Sequence, residues 1–137
     1  MAEYISKSLR RLVEERAEFR CEYCRIPPTQ PNLKHEFEHI LPRQQDGQTT
    51  AANLAWACLR CNRRKGTNVG AFDSETGNLT RLYNPRKDIW IEHFQVLESG
   101  EIKPLTAEAR VTVKILRIND AQRIEERKEL MEAGIYE

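Results

Sequence analysis

The sequence predicts a small α+β protein: a short hairpin leading into a helix, preceded by one helix and followed by further hairpins and helices. Three observations predict it. Two cysteine pairs share one spacing, Cys21-x-x-Cys24 and Cys58-x-x-Cys61. Between them, residues 34–40 alternate in the two-residue period of a strand. From the second pair, a polar, cation-rich stretch runs in helical manner to Gly66.

In order, residues 6–20 read as a helix. Leu9, Leu12, Val13 and Ala17 recur at three- and four-residue steps, and Ser6 is placed to cap the N-terminus. Pro27, Pro28 and Pro31 then enforce an extended link. The run Lys34-His35-Glu36-Phe37-Glu38-His39-Ile40 puts His35, Phe37 and His39 on one strand face, and Glu36 and Glu38 on the other. Leu41-Pro42 ends it. Residues 43–52 form a polar loop with Asp46-Gly47 as its turn, and the chain returns at Asn53. Residues 54–57 give the partner strand, and a helix begins near Cys58 or Leu59 and stops at Gly66. Turn signals at Asp73-Ser74 and Thr76-Gly77-Asn78 predict a hairpin within 67–84. Residues 89–96 read as a strand that pairs, through a turn at 98–101, with 102–105. Thr106 caps a helix through about Ile118 with Ala107, Val111, Ile115 and Ile118 on its apolar face. Asp120 caps a last helix that packs Ala121, Ile124 and Met131 and ends at Gly134. Trp90 and Phe94 are assigned to the core, and His35 and His93 to structural roles.

The chain is expected to form one domain over 1–137, with a core at 21–66 and an extension at 67–137. Its 39% hydrophobic and 31% charged residues are those of a globular chain, not a disordered one. No apolar run nears the ~20 residues of a membrane span, and no apolar leader opens the sequence, so a cytoplasmic location is expected. Net charge is only +1, but between Pro42 and Phe72 five cations (Arg43, Arg60, Arg63, Arg64, Lys65) face one anion, Asp46. A local basic patch on a neutral protein suits a phosphate-bearing partner.

Two residues between cysteines let both sulfurs face one tetrahedral ion, and two such pairs supply four ligands. Cys21, Cys24, Cys58 and Cys61 are therefore assigned to a closed, structural Zn²⁺ site. Two disulfides do not suit a cytosolic chain, and a redox motif needs only one pair. The 33 residues at 25–57 exceed the span of a simple zinc ribbon, so a functional unit is inserted between the pairs.

Glu38-His39-Ile40-x-Pro42, Asn53-Leu54 and Cys58-x-x-Cys61-Asn62-x-x-Lys65-Gly66 together resemble the HNH endonucleases of ββα-metal fold. The flanks, Arg16-Ala17 before the first pair, Asn84-Pro85-Arg86-x-Asp88-x-Trp90, His93-Phe94 and the 105–119 segment, resemble a bacterial subgroup with two CxxC pairs. The resemblance implies a metal-dependent endonuclease acting on the DNA phosphate backbone. His39 is then the general base, suited by an ordinary imidazole pKa of about 6.5. Glu38 and Asn62 hold the catalytic cation, and Asn53 holds the loop that orients His39. Asn62 stands where many members carry histidine, and an all-oxygen pair favours Mg²⁺ or Mn²⁺ over softer ions. Arg43, Arg60, Arg63, Arg64 and Lys65 are assigned to phosphates. The competing reading is a zinc-stabilised nucleic-acid-binding module without cleavage. It shares the four cysteines but has no use for a base beside a metal ligand. A redox or zinc-storage protein leaves the basic patch and His39 without a role.

Overall fold

The computed structural model describes residues 4–28 and 33–136. Pro31 lies outside them. The first helix, α1 (Lys7–Arg16), is capped as expected, with the Ser6 hydroxyl accepting from the Leu9 amide. It is shorter than the 6–20 expectation. Glu18 and Phe19 both take the left-handed conformation, and their amides bond back to the Glu15 and Glu14 carbonyls. That pair of bonds closes a helix in the Schellman manner, usually on glycine, so no glycine marked the stop. Of the apolar stripe, Val13 and Ala17 are buried, whereas Leu12 is 46% exposed.

The central unit is a hairpin and a helix. Strands β1 (His35–His39) and β2 (Leu54–Cys58) pair antiparallel, with His35 opposite Cys58 and His39 opposite Leu54. The alternation predicted for β1 holds: His35 and Phe37 pack on Trp56, and Glu38 points to the buried side. The connecting loop contains a 3₁₀ turn at Arg43–Gln45, closed by left-handed Asp46. Helix α2 (Leu59–Lys65) follows β2 at once; Cys58 is its N-cap residue and Gly66 its C-cap. The Leu59 amide bonds the Lys34 carbonyl, so α2 starts beside the first residues of the hairpin.

Two small hairpins follow, β3 (Gly70–Phe72) with β4 (Leu79–Arg81), and β5 (Phe94–Val96) with β6 (Ile102–Pro104). The expected strand at 89–96 is half helix: α3 (Trp90–His93) is a single turn before β5. Trp90 and Phe94 stand four apart, and one helical turn brings both indole and phenyl into the core, where their rings lie 5.0 Å apart. Helix α4 (Ala107–Leu116) is capped by Thr106 and stopped at left-handed Arg117. Its buried face carries Ala109, Val111, Thr112 and Leu116, and differs from the expected stripe.

Helix α5 (Ala121–Glu132) departs most from expectation. Its buried residues are Arg123, Arg127 and Leu130, and Ala121 is exposed. The two buried guanidiniums each find several acceptors. Arg127 donates to the carbonyls of Gly100 and Ile118 and to Asn119 Oδ1; Arg123 donates to the Leu116 carbonyl and to a cysteine sulfur. One apolar cluster joins Tyr23, Ala55 and Ala57 of the first half to Leu82, Tyr83, Phe94, Leu116 and Tyr136 of the second. Among the described residues no helix is long and apolar enough to cross a membrane.

Candidate functional site

The two cysteine pairs meet. Cys21, Cys24, Cys58 and Cys61 are buried, and their sulfurs lie within 4.8 Å of one another. Cys24 Sγ and Cys58 Sγ are 3.8 Å apart. Tetrahedral sulfurs at ~2.3 Å from one ion stand about 3.8 Å apart, so the four cysteines are spaced to hold a zinc ion. No disulfide joins them. The Cys24 amide approaches Cys21 Sγ at 3.5 Å and the Cys61 amide approaches Cys58 Sγ at 3.4 Å. Arg123 adds a guanidinium donor to Cys61 Sγ at 3.0 Å. A zinc ion with four thiolates carries net negative charge, and Arg123 is a buried cation placed to offset it. Burial opposes the charge on Arg123, but the sulfurs of Cys61, Cys24 and Cys58 raise its pKa above the ordinary value. Sequence reading missed this partner because an arginine on an amphipathic helix reads as solvent-facing.

A second site lies at the far end of β1. His39, Glu38 and Asn62 line one open cleft of about 260 Å³, together with Phe37, Pro42, Arg43, Gln44, Gly66 and Thr67. The β1–β2 pairing delivers Glu38 and His39, and α2 delivers Asn62. His39 Nε2 lies 2.8 Å from Thr49 Oγ1, which steadies the ring. Asn53 staples the loop: its Oδ1 accepts from the Leu41 amide, and its Nδ2 donates to the carbonyls of Leu41 and Gln48. The Asn53 carbonyl also accepts from the Ile40 amide at 2.9 Å. Gly47 fits under this loop only without a side chain, since a Cβ there would lie 1.7 Å from the Leu41 carbonyl oxygen.

Glu38 is 3% exposed. Its Oε1 accepts from the Tyr23 hydroxyl, and its Oε2 pairs with Lys65 Nζ at 2.8 Å. Burial pushes its carboxyl up, against the opposing pull of the Lys65 ammonium. Asn62 is half-buried and donates through Nδ2 to Glu36 Oε1 at 2.8 Å. Tyr23, Glu36 and Thr49 were not singled out from the sequence. Glu36 carried a signal, since it shares the face of Glu38 two residues earlier.

The basic patch is smaller than the sequence suggested. Arg43, Arg63 and Arg64 are exposed. Arg60 pairs with Glu126 of α5 at 2.7 Å. Lys65 corrects its assignment to phosphate: it is 1% exposed and donates to the carbonyls of His39 and Ile40 as well as to Glu38. Its position one helical turn after buried Cys61 was the available clue. His35 bonds the Ile26 carbonyl and stacks on Trp56. His93 bonds Thr106 Oγ1 and meets Tyr83 edge-on. Each is held within the fold.

No curated protein and no solved structure matches the chain. One protein family does match, over residues 21–68, which ties this stretch to nuclease-type, nucleic-acid-related function. The resemblance read in 84–94 and 105–119 lies beyond the matched residues. The segment that holds both cysteine pairs, the β1–β2 hairpin and α2 matches the HNH endonuclease family.

Proposed function

We propose that this protein is a metal-dependent DNA endonuclease. The observation that carries the reading is the shared cleft: an imidazole, a carboxylate and an amide converge there beside Arg43. His39 takes the proton from the attacking water. Thr49 Oγ1, 2.8 Å from Nε2, steadies the ring for this transfer. Asn53 fixes the loop over the site and so the direction of the ring. Glu38 and Asn62 hold one divalent cation. Their chemistry fits it: a carboxylate oxygen engaged by one donor keeps further lone pairs, and Asn62 commits its nitrogen to Glu36, which leaves its oxygen as the donor atom. Two oxygen donors suit Mg²⁺ or Mn²⁺. That ion supplies Lewis-acid stabilisation of the charge developing on the phosphate. Arg43, Arg63 and Arg64 take the flanking phosphates, while the zinc of the four cysteines is structural.

A second reading, a nucleic-acid-binding module without cleavage, draws on Glu38, whose two oxygens are already engaged by Tyr23 and Lys65. A supercoiled-plasmid assay separates the two. Nicking that requires Mg²⁺ or Mn²⁺, stops with EDTA and disappears in His39→Ala is the expected result. Retained DNA binding with no cleavage under either ion refutes the endonuclease and favours the module.

A further inference from the structure

We propose that Tyr23 and Lys65 are positioning residues for the His39 site, linking it to the two cysteine pairs. The inference rests on the endonuclease reading of Glu38 and His39. Tyr23 stands between Cys21 and Cys24 and is wholly buried. Its ring lies edge-on to Tyr83, its carbonyl accepts from the Trp90 indole, and its hydroxyl donates to Glu38 Oε1. Lys65 ends the helix that begins at Cys58 and carries Cys61. Its ammonium has three protons and three acceptors: Glu38 Oε2 at 2.8 Å, the Ile40 carbonyl at 2.9 Å and the His39 carbonyl at 3.2 Å. Each cysteine pair thus sends one side chain to the same dipeptide, Glu38-His39.

Stability alone is a poor reason for this arrangement. Burying an ammonium with a carboxylate costs desolvation that an aliphatic pair avoids, so a buried ion pair is weak evidence of a stabilising role. What the pair does fix is geometry. Tyr23 and Lys65 engage one carboxylate oxygen each, which sets the plane of Glu38 and leaves further lone pairs on both. Lys65 also clamps the peptide on either side of Ile40, the point at which the chain leaves β1 for the loop. Partners of this kind around a ligating carboxylate typically change metal affinity or activity by about 10–100-fold when removed.

The test uses the full zinc-loaded chain and Tyr23→Phe, which deletes one hydroxyl and keeps the ring. Zinc content and thermal midpoint report the fold, and Mn²⁺ affinity by electron paramagnetic resonance reports the Glu38 site without reference to turnover. Plasmid nicking gives kcat and KM. The expected result is one zinc per chain, a KM for DNA near wild type, and Mn²⁺ affinity and kcat both reduced about 10–100-fold. Lys65→Met should move the same two readouts, and Lys65→Arg, which keeps the charge, replaces it if Lys65→Met does not fold. Wild-type Mn²⁺ affinity and kcat in folded Tyr23→Phe overturn the proposal. Wild-type protein that binds Mn²⁺ through Glu38, with the binding lost in Glu38→Gln, yet cleaves nothing overturns the endonuclease reading, and Mn²⁺ affinity then decides the roles of Tyr23 and Lys65. Wild-type protein that binds no Mn²⁺ overturns both.

Discussion

The proposed role of His39 as a base needs its ring held in one direction, and Thr49 Oγ1, 2.8 Å from Nε2, contributes to that hold. His39→Ala should keep the fold and DNA binding and lose cleavage by about 10²–10⁴-fold, the usual contribution of a general base. Equal loss of DNA binding or of thermal midpoint would count against that role. Thr49→Val keeps the shape and removes one hydrogen bond to the ring, so kcat should fall about tenfold, the equivalent of ~1.4 kcal/mol. Order and spacing singled out His39, Asn53 and Asn62, and the fold puts His39 and Asn62 on one cleft with Asn53 stapling the loop beside it. Thr49 was not singled out, because a threonine in a polar loop is ordinary, and its partner is defined only once the loop folds back on β1. Lys65 was misread for a related reason. Among Arg63, Arg64 and Gly66 it counts as one more surface cation, and only the helical turn from Cys61 turns it inward.

Among the elements, the 40–53 loop and the β3–β4 hairpin make separate predictions. Gly47→Ala must push the loop away from the Leu41 carbonyl. The cost should be about 1–3 kcal/mol, as for other overpacked sites, together with reduced cleavage; denaturant melts beside the nicking assay would show both. In the hairpin, Asp73 is buried beneath its turn. It accepts two bonds from Arg110 of α4 at 2.8 Å and two more from Thr76. The Arg110 bonds, assisted by Thr76 and opposed by burial, hold the carboxyl well below the usual range. A depressed acid stabilises the fold above its unfolded pKa and loses that contribution as pH falls through the lower folded value. The thermal midpoint should therefore drop on the acid side of the ordinary carboxylate range. Asp73→Asn should be less stable at neutral pH and should flatten that acid limb. Most elements were legible because capping and turn residues mark them: Ser6, Thr106, Gly66 and Gly134 stand where they were expected. The errors fall where those marks are missing. Glu18 and Arg117 close helices without glycine, and β-branched Ile89 and Ile91 gave strand character to a turn whose geometry is decided by the packing of Trp90 and Phe94.

Across the whole molecule, the cysteine cluster and α5 hold distant stretches of chain together. Cys58→Ala opens the zinc site and should leave the protein unfolded or aggregated, as should a strong chelator; circular dichroism and zinc content check this, and a soluble, fully active variant would refute a structural ion. Arg127→Leu strands two acceptors, the Gly100 and Ile118 carbonyls, while Asn119 Oδ1 keeps the Ile102 amide. It should cost at least about 3 kcal/mol in urea denaturation. None of this was visible in the charge pattern, which makes α5 a solvated helix. A guanidinium is buried when carbonyls from several elements converge on it, and that convergence is a property of the assembled fold.

The reach of α5 to the cysteines bears on the order of events during synthesis. Arg123 follows Cys61 by 62 residues, and Tyr136, whose hydroxyl donates to the Cys24 carbonyl, follows Cys24 by 112. All four sulfurs therefore leave the ribosome well before the cation and the phenol that complete their surroundings. A metal ion held by those sulfurs before α5 is made would lack the Arg123 cation to offset its thiolates. The contacts that Arg123 and Tyr136 add to the cysteine cluster would form only once α5 and the residues after it dock.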